Sequence, residues 1–491
     1  MATFRTSAIS GAFFSGVGQG VRFLTHAAAI VILARLLTPS DFGLTAMVYP
    51  IIFFAVTLQE AGLGAAVIQR RDISQKELNT VFWLNVLFGL VLAGALIASA
   101  PAISAFFREP RLTPLTMASG GLVLLGALAA QPMALLNREM KFRHIAVIDI
   151  ASLICGLVVS VTVAYVFRTY WAIWLLSLAS TGTTLILALV FSGWRPGLPG
   201  RFADVADLVR FGGHMTATDI FGHISRSLDK VLIGRVWGGD ALGLYDRAYK
   251  LMMLPVFLIT MPLKRVVVPL LVRTRSDPLR YRSIYLRSTQ TSLLMVVPGI
   301  VVLVAAPYQV IDVLLGRKWL DAAPIFAWLS LGALVQSMHA TLFWLYVTQE
   351  RARDLSIIAI FGSTLTCGLY FVGLPWGAVG VAMAFACGEI IKAPFYFWWA
   401  TRRGPVQLGQ IVSASAPFAL AAVASWAAVW GLCKALPIAP FPLVLLCGLV
   451  SYAVALLTVS LTPQGRTCLG DVLDYARTAI DTVGTRLRKP A

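Results

Sequence analysis

The chain has 491 residues, 58% of them hydrophobic and 13% charged, with a net charge of +18 and a mean hydropathy of +0.81. A soluble domain is about one quarter charged, so this composition excludes a soluble globular protein and points to an integral membrane protein. The positive balance is no nucleic-acid footprint, because no soluble module is left to carry a basic binding face.

Apolar runs of about 20 residues, the length a spanning helix needs, recur along the chain. They predict fourteen spans, centred near residues 25, 56, 92, 124, 155, 181, 222, 257, 295, 335, 363, 388, 420 and 450. The first follows "MATFRTSAIS" directly and is too long for a signal h-region, so it reads as an uncleaved span. It carries Arg22 and His26 one helical turn apart. The second span carries Glu60 and the fifth Asp149, each a candidate coupling carboxylate or a buried helix-to-helix hydrogen bond.

"SGWRPGLPGRFADVADL" then breaks the apolar pattern with Gly, Pro and Arg, as a linker does. The seventh span bears Asp219, His223, Arg226 and Lys230 at i, i+4, i+7 and i+11, one helical face, with Asp229 beside them. Asp229 and Lys230 are expected near the outer end, within reach of water. The next turn, "GRVWGGDALG", contains a Gly pair suited to a reversal, and the eighth span opens with Asp246 and Lys250 as an i, i+4 pair. His339 in span ten and Glu389 with Lys392 in span twelve are weaker functional candidates; an interior histidine is most often a satisfied packing residue. The six cysteines show no CxxC or Cys/His metal spacing and read as small buried hydrophobes, with no metal or cofactor implied. The tail 463–491 puts Leu469, Val472, Leu473, Ala476, Ile480, Val483 and Leu487 on one stripe beside several Arg, a pattern suited to an anionic leaflet.

Basic residues orient the chain. With the N-terminus inside, cytoplasmic segments hold 26 of the forty Lys and Arg against eight on the other side, so both termini are expected in the cytoplasm. An internal repeat is also visible. "VILARLLTPSDFGLTAMVY" at 31–49 aligns without gaps with "VLIGRVWGGDALGLYDRAY" at 231–249, sharing Val31/Val231, Arg35/Arg235, Gly43/Gly243, Leu44/Leu244 and Tyr49/Tyr249. Six spans per repeat keep both halves in one orientation, related by an axis along the membrane normal. The expected organisation is an all-α polytopic membrane protein: an N-terminal six-helix lobe at 1–195, a cytoplasmic linker at 196–207, a C-terminal six-helix lobe at 208–403, two further spans at 404–462 and the amphipathic tail. The cationic groups of spans one and seven would then face a common cavity. An anion is the cargo that suits it.

Four stretches resemble the polysaccharide-transporter family, the Wzx-type flippases of the multidrug/oligosaccharidyl-lipid/polysaccharide exporter superfamily. They are "DKVLIGRVWGGDALGLYDRAYKLMMLP", "GLGAAVIQRRDISQKELNTVFWLN", "LNREMKFRHIAVIDIAS" and "LLGRKWLDAAPIFAWLSLG". The likeness is to the exopolysaccharide branch that handles units such as colanic acid or succinoglycan. It implies two lobes alternating between inward-open and outward-open forms in the bacterial inner membrane. The implied cargo is a polyprenyl pyrophosphate carrying an oligosaccharide, moved from the cytoplasmic to the periplasmic leaflet for exopolysaccharide, capsule or lipopolysaccharide synthesis. H+ or Na+ coupling and contact with a polysaccharide polymerase or export machinery are further implications.

On this reading Arg22 and Arg226 meet pyrophosphate, which Arg matches in bidentate fashion, and His26, Asp219 and His223 line the cavity. A lipid II flippase or another exporter of the superfamily is the alternative. A membrane glycan polymerase or transferase is the alternative from a different class, but the external connections are short and nothing resembles a nucleophile, metal site or nucleotide loop.

Overall fold

The computed structural model describes Thr25, residues 27–60, Val67, 73–200 and 206–470, with backbone alone for Glu60, 206–226 and Phe257. Every regular element among the described residues is a helix. In chain order these are α1 (Ala27–Leu36), α2 (Pro39–Glu60), α3 (Gln75–Phe107), α4 (Leu112–Arg138), α5 (Phe142–Phe167), α6 (Trp171–Ser192), α7 (Ala206–Arg273), α8 (Pro278–Ala305) and α9 (Pro307–Leu314). Then follow α10 (Ala323–His339), α11 (Leu342–Thr348), α12 (Ala352–Gly373), α13 (Gly377–Thr401), α14 (Leu408–Ala435) and α15 (Pro440–Ser460). Ten helical segments are long and apolar enough to cross a membrane among the described residues, or 11 if a bent pair within α7 is one more. One of the ten, Ala352–Thr401, holds both α12 and α13 around a short 3-10 turn.

Helices are the expected answer in this solvent. With no water to meet exposed N–H and C=O groups, a spanning segment must bond its backbone within itself. Prolines inside α2, α3, α4, α7, α8, α13 and α14 are tolerated for the same reason that they are common in membrane helices: neighbouring helices take up the freed groups.

The chain packs as two compact units, Met1–Arg247 and Ala248–Ala491. In the first, α3 lies along α4, α5 along α6, and α2 and α6 both pack on α4. Small residues let α5 and α6 approach closely. Ser160 Oγ donates to the Ala172 carbonyl at 2.7 Å, Ser180 Oγ donates to the Ser152 carbonyl at 3.0 Å, and a Cβ on Gly156 would land on Ser180 Oγ. Their opposite faces expose Val158, Val166, Ile186 and Val190, the dress of a lipid-facing surface.

The linker is pinned to the start of α3. Trp83 Nε1 donates to the Gly197 carbonyl at 2.9 Å, Asn79 Nδ2 to the Leu198 carbonyl at 3.3 Å, and the Gly200 amide donates to Thr80 Oγ1 at 2.7 Å. The start of α3 is itself closed by a capping box, with Glu77 N–H on Ser74 Oγ (3.2 Å) and Ser74 N–H on Glu77 Oε2 (2.6 Å). At its far end Arg111 holds Glu109 at 2.8 Å, and that hydrogen bond keeps the Glu109 carboxyl below its ordinary range.

In the second unit α8 packs against α10, α14 and α15, and α13 against α10 and α12. Serine hydroxyls again bind carbonyls across helices: Ser425 to Ser451 at 3.1 Å and Ser451 to Pro298 at 2.8 Å. Arg351 closes the C-terminal end of α13 by donating to the carbonyls of Trp399 (3.1 Å), Ala400 (2.8 Å) and Arg403 (2.7 Å), where a cation also suits the helix dipole. Asp354 binds Arg351 at 2.9 Å and Arg402 at 3.0 Å, completing the cap.

The two aligned turns meet. The reversal in α7 is made at Gly238, whose φ of 82° lies in the left-handed region that glycine enters freely. A Cβ on Gly43 would strike the Gly239 carbonyl, and a Cβ on Gly243 would strike the Pro39 carbonyl. Under the 200-residue offset, Gly43 pairs with Gly243 and Pro39 with Gly239, so the two contacts are reciprocal.

Val substituted at Gly43 or Gly243 is therefore expected to destabilise the fold by about 1–3 kcal/mol through overpacking. Ala at Gly239, where a Cβ meets nothing closer than 3.8 Å, is expected to be near neutral. Fluorescence-detected size-exclusion after heating in detergent checks this; equal melting of all three variants would refute it.

Candidate functional site

Of the seven residues expected to line the cavity or couple it, Arg22 and His26 lie outside the described residues. Glu60, Asp219, His223 and Arg226 stand on helices α2 and α7, and their side chains lie outside what is described. Asp149 is described: it sits half-buried on α5, and its carbonyl accepts from Ser152 Oγ at 3.1 Å.

The described end of the charged face is the stretch that follows Arg226, and there the charges form a network in the first unit. Asp229 is 3% exposed, so it does not reach water as its place near the span end suggested. Its Oδ2 accepts from Tyr245 Oη at 2.8 Å and its Oδ1 from the Lys230 amide at 2.8 Å. Lys230 Nζ crosses to Asp246 Oδ1 at 3.0 Å, while Arg247 Nη2 binds Asp246 Oδ2 at 2.9 Å. The Arg247 guanidinium lies over the Phe42 ring, 4.1 Å from its centroid, and its Nε has no hydrogen-bond partner among the described residues.

The helical reversal at Gly238 creates this network. It folds the two limbs of α7 back so that residues 229–230 of one face 245–247 of the other. Two carboxylates and two cations offset one another, which lowers the cost of holding charge at membrane depth. Sequence spacing suggested Lys250 as a partner for Asp246; it gave no sign of Lys230 and Arg247, which bind Asp246 here. No period along one helix reveals a pair made across a turn.

Polar groups are also buried elsewhere in this unit. Gln59 on α2, Asn85 on α3 and Gln131 on α4 each have a buried amide atom with no hydrogen-bond partner among the described residues. Such an amide costs about 1–3 kcal/mol relative to a satisfied one. A sequence reading that scores only charge passes over all three. No group of three or more His, Cys, Asp or Glu among the described residues could hold a metal ion.

The second unit holds a separate ionic cluster. His339 Nε2 lies 2.9 Å from Glu389 Oε2, and Lys392 Nζ lies 2.6 Å from Glu389 Oε1 and 3.0 Å from Thr366 Oγ1. The sequence set Glu389 with Lys392 but kept His339 apart from them. The structure joins them.

Residues 32–324 match the family described as "Polysaccharide biosynthesis protein". Among curated proteins, the lipopolysaccharide biosynthesis protein WzxC of Escherichia coli K12 is 26% identical over 394 residues, covering 79% of this chain and 80% of its own. The teichuronic acid biosynthesis protein TuaB of Bacillus subtilis is 26% identical over 389 residues, 78% and 80%. The succinoglycan biosynthesis transport protein ExoT of Rhizobium meliloti is 24% identical over 368 residues, 75% and 74%. Among solved structures, the lipid II flippase MurJ in an inward closed conformation aligns with a TM-score of 0.75 at 15% identity, over 92% of this chain and 98% of its own. An inward-facing multidrug MATE transporter of the MOP superfamily aligns at 0.61 and 14% identity, over 80% and 96%. At these identities the structural likeness speaks for the fold: an all-helical, multi-pass membrane architecture.

Asp246→Asn is expected to leave Lys230 and Arg247 without their shared counter-charge, at a cost approaching the about 3–5 kcal/mol typical of breaking a buried pair. Tyr245→Phe, which removes one hydrogen bond from Asp229, is expected to cost about 1–3 kcal/mol. Folded fraction against temperature in detergent reads both; a smaller effect for Asp246→Asn than for Tyr245→Phe would overturn the ranking.

Proposed function

Because the chain belongs to the polysaccharide biosynthesis protein family, we propose that it translocates polyprenyl-pyrophosphate-linked oligosaccharide repeat units from the cytoplasmic to the periplasmic leaflet. It does so as a transporter, without chemistry on the cargo. The observation that carries this reading is the family match over residues 32–324 in a chain whose described helices are long and apolar enough to span a membrane. The relatives' names, which include a succinoglycan transport protein, and the fold shared with a lipid II flippase support it.

On this reading the chain has fourteen spans. The segment Ala352–Thr401 contributes two, α1 belongs to the first, and the limbs of α7 on either side of Gly238 supply the seventh and eighth. Two six-span lobes, 1–195 and 208–403, alternate about a cavity, with spans thirteen and fourteen at 404–462 outside the repeat. The reciprocal contacts of Gly43 and Gly243 are what two repeats related by a local two-fold axis would make, which supports the pseudo-symmetry. The excess of basic residues in alternate connections supports an inner-membrane protein with both termini cytoplasmic.

Arg22 and Arg226 meet the pyrophosphate, with His26, Asp219 and His223 beside them. The network at 229–247 sets two carboxylates against two cations, and the deeper arginines are the groups offered to the anion. Glu60 and Asp149 remain candidate coupling carboxylates. A polymer-synthesis or export assembly would receive the flipped unit.

The test is complementation of a deletion strain with Arg22→Glu and Arg226→Glu at equal protein level. Polymer export is expected to be lost and lipid-linked oligosaccharide, identified by mass spectrometry, to accumulate. Unchanged export overturns the proposed cavity, and accumulation of lipid II in place of the repeat unit overturns the cargo.

A further inference from the structure

The cluster in the second unit stands deep in the membrane-spanning bundle. Glu389 is twelve residues from either end of α13, which at 1.5 Å per residue puts it about 18 Å from each, near the middle of a span. Glu389 is 3% exposed, Lys392 6% and His339 8%. Hydrocarbon does not tolerate such charge without compensation, and a neutral triad of Leu or Phe would pack as well. The chain nonetheless keeps both His339 and Lys392 within 2.9 Å of the Glu389 carboxylate.

Their roles differ. Lys392 and Glu389 cancel each other, so the net charge of the cluster is set by His339 alone. Glu389, ionised against Lys392, can only accept hydrogen bonds; the Nε2–H of neutral His339 must therefore donate to its Oε2. That leaves the lone pair on Nδ1 to take an incoming proton. The N–H bond formed there turns the cluster from net zero to net +1, and its loss restores zero. His339 is also the last residue of α10.

A path leads to it. Immediately after His339 the helix breaks, and α11 carries on from Leu342. Buried hydroxyls form rungs between α8 and this broken segment. Gln349 Nε2 donates to Tyr281 Oη at 3.2 Å, and Tyr281 Oη bonds Thr348 Oγ1 at 2.6 Å. One turn further along α8, Thr341 Oγ1 meets Tyr285 Oη at 3.4 Å and Thr289 Oγ1 at 3.3 Å. Gln349 adjoins the exposed Glu350 at the membrane face, whereas Tyr281, Tyr285, Thr289, Thr341 and Thr348 are each at most 2% exposed. Hydroxyls both donate and accept, so such a ladder can pass a proton where an apolar wall cannot.

The groups facing the imidazole and its carboxylate are Glu389, Lys392 and Tyr396 from α13 and Thr366 from α12; Tyr346 of α11 stands beyond Tyr396. Tyr396 packs edge-on to His339 at 5.2 Å and gives its hydroxyl hydrogen to the Ile358 carbonyl.

We propose that His339, held by Glu389 and counted against Lys392, is a proton-binding site reached from the Gln349 face through the Tyr281 and Tyr285 rungs, and that its change of charge drives the second unit through the transport cycle. The coupling half of this proposal rests on the transport reading; the binding half does not.

The binding half is tested with full-length protein carrying 15N-histidine in lipid nanodiscs. The chain has five histidines, and His339→Gln identifies the resonance. That resonance is expected to pass between the neutral and the protonated form as pH is varied, and Glu389→Gln to alter that response. A His339 signal that keeps one form throughout, or a midpoint indifferent to Glu389→Gln, overturns the site.

The coupling half is tested in proteoliposomes loaded with a pH dye under an imposed potential. Proton flux is expected to fall to the protein-free rate in His339→Gln and to slow in Tyr285→Phe with the midpoint unmoved. Flux that survives His339→Gln overturns the coupling, as does polymer export that survives it. Failure of the transport reading is read separately, from the Arg22 and Arg226 variants.

Discussion

The cost of an unsatisfied polar group in hydrocarbon governs this molecule. Its backbone answers with helices as the only regular element among the described residues, and its side chains answer by finding partners across helices. Asp229 takes a hydroxyl from Tyr245, Asp246 takes two cations, Glu389 takes an imidazole and an ammonium, and Asp354 takes two arginines. Each carboxylate has its counterpart within 3.0 Å. None of these arrangements is argued to add stability over an apolar replacement, since the desolvation of both ions offsets most of their attraction. They are better understood as charges the protein keeps for another reason and must therefore neutralise.

Association between the helices follows from the same solvent. Lipid tails are as apolar as leucine, so helices gain little by hiding apolar faces from them, and contact depends on close packing and inter-helix hydrogen bonds. Ser160, Ser180, Ser425 and Ser451 each bond a carbonyl of a neighbouring helix, and Gly156 lets two helices close to within a hydroxyl's reach. The turns at Gly43 and Gly243 carry this furthest, because each glycine seats itself against the other turn's carbonyl. A flexible residue is used there to make a tight contact.

These two features divide the labour of a carrier. Self-neutralised networks such as that at 229–247 are electrically quiet and suit the frame. Groups proposed to leave a net charge, the arginines offered to cargo and the histidine beside Glu389, suit the parts whose charge would change or be matched as a diphosphate or a proton arrives.

The sequence by itself determined the class: an apolar composition with short polar breaks leaves only membrane helices, and the hydrophobic runs around residues 92, 124, 155, 181, 295, 420 and 450 fall on helices α3 to α6, α8, α14 and α15. It also showed the aligned turns at 31–49 and 231–249, since identities at a constant offset need no coordinates to be seen. Which residues carry charge was legible; whom they meet was not. Asp229 looked close to water and is buried, and His339 and Glu389 lie 50 residues apart and touch. Periodicity describes one helix at a time. Pairing across a Gly238 reversal, or between α10 and α13, exists only once helices pack, so the partner of each buried ion was decided by the tertiary structure.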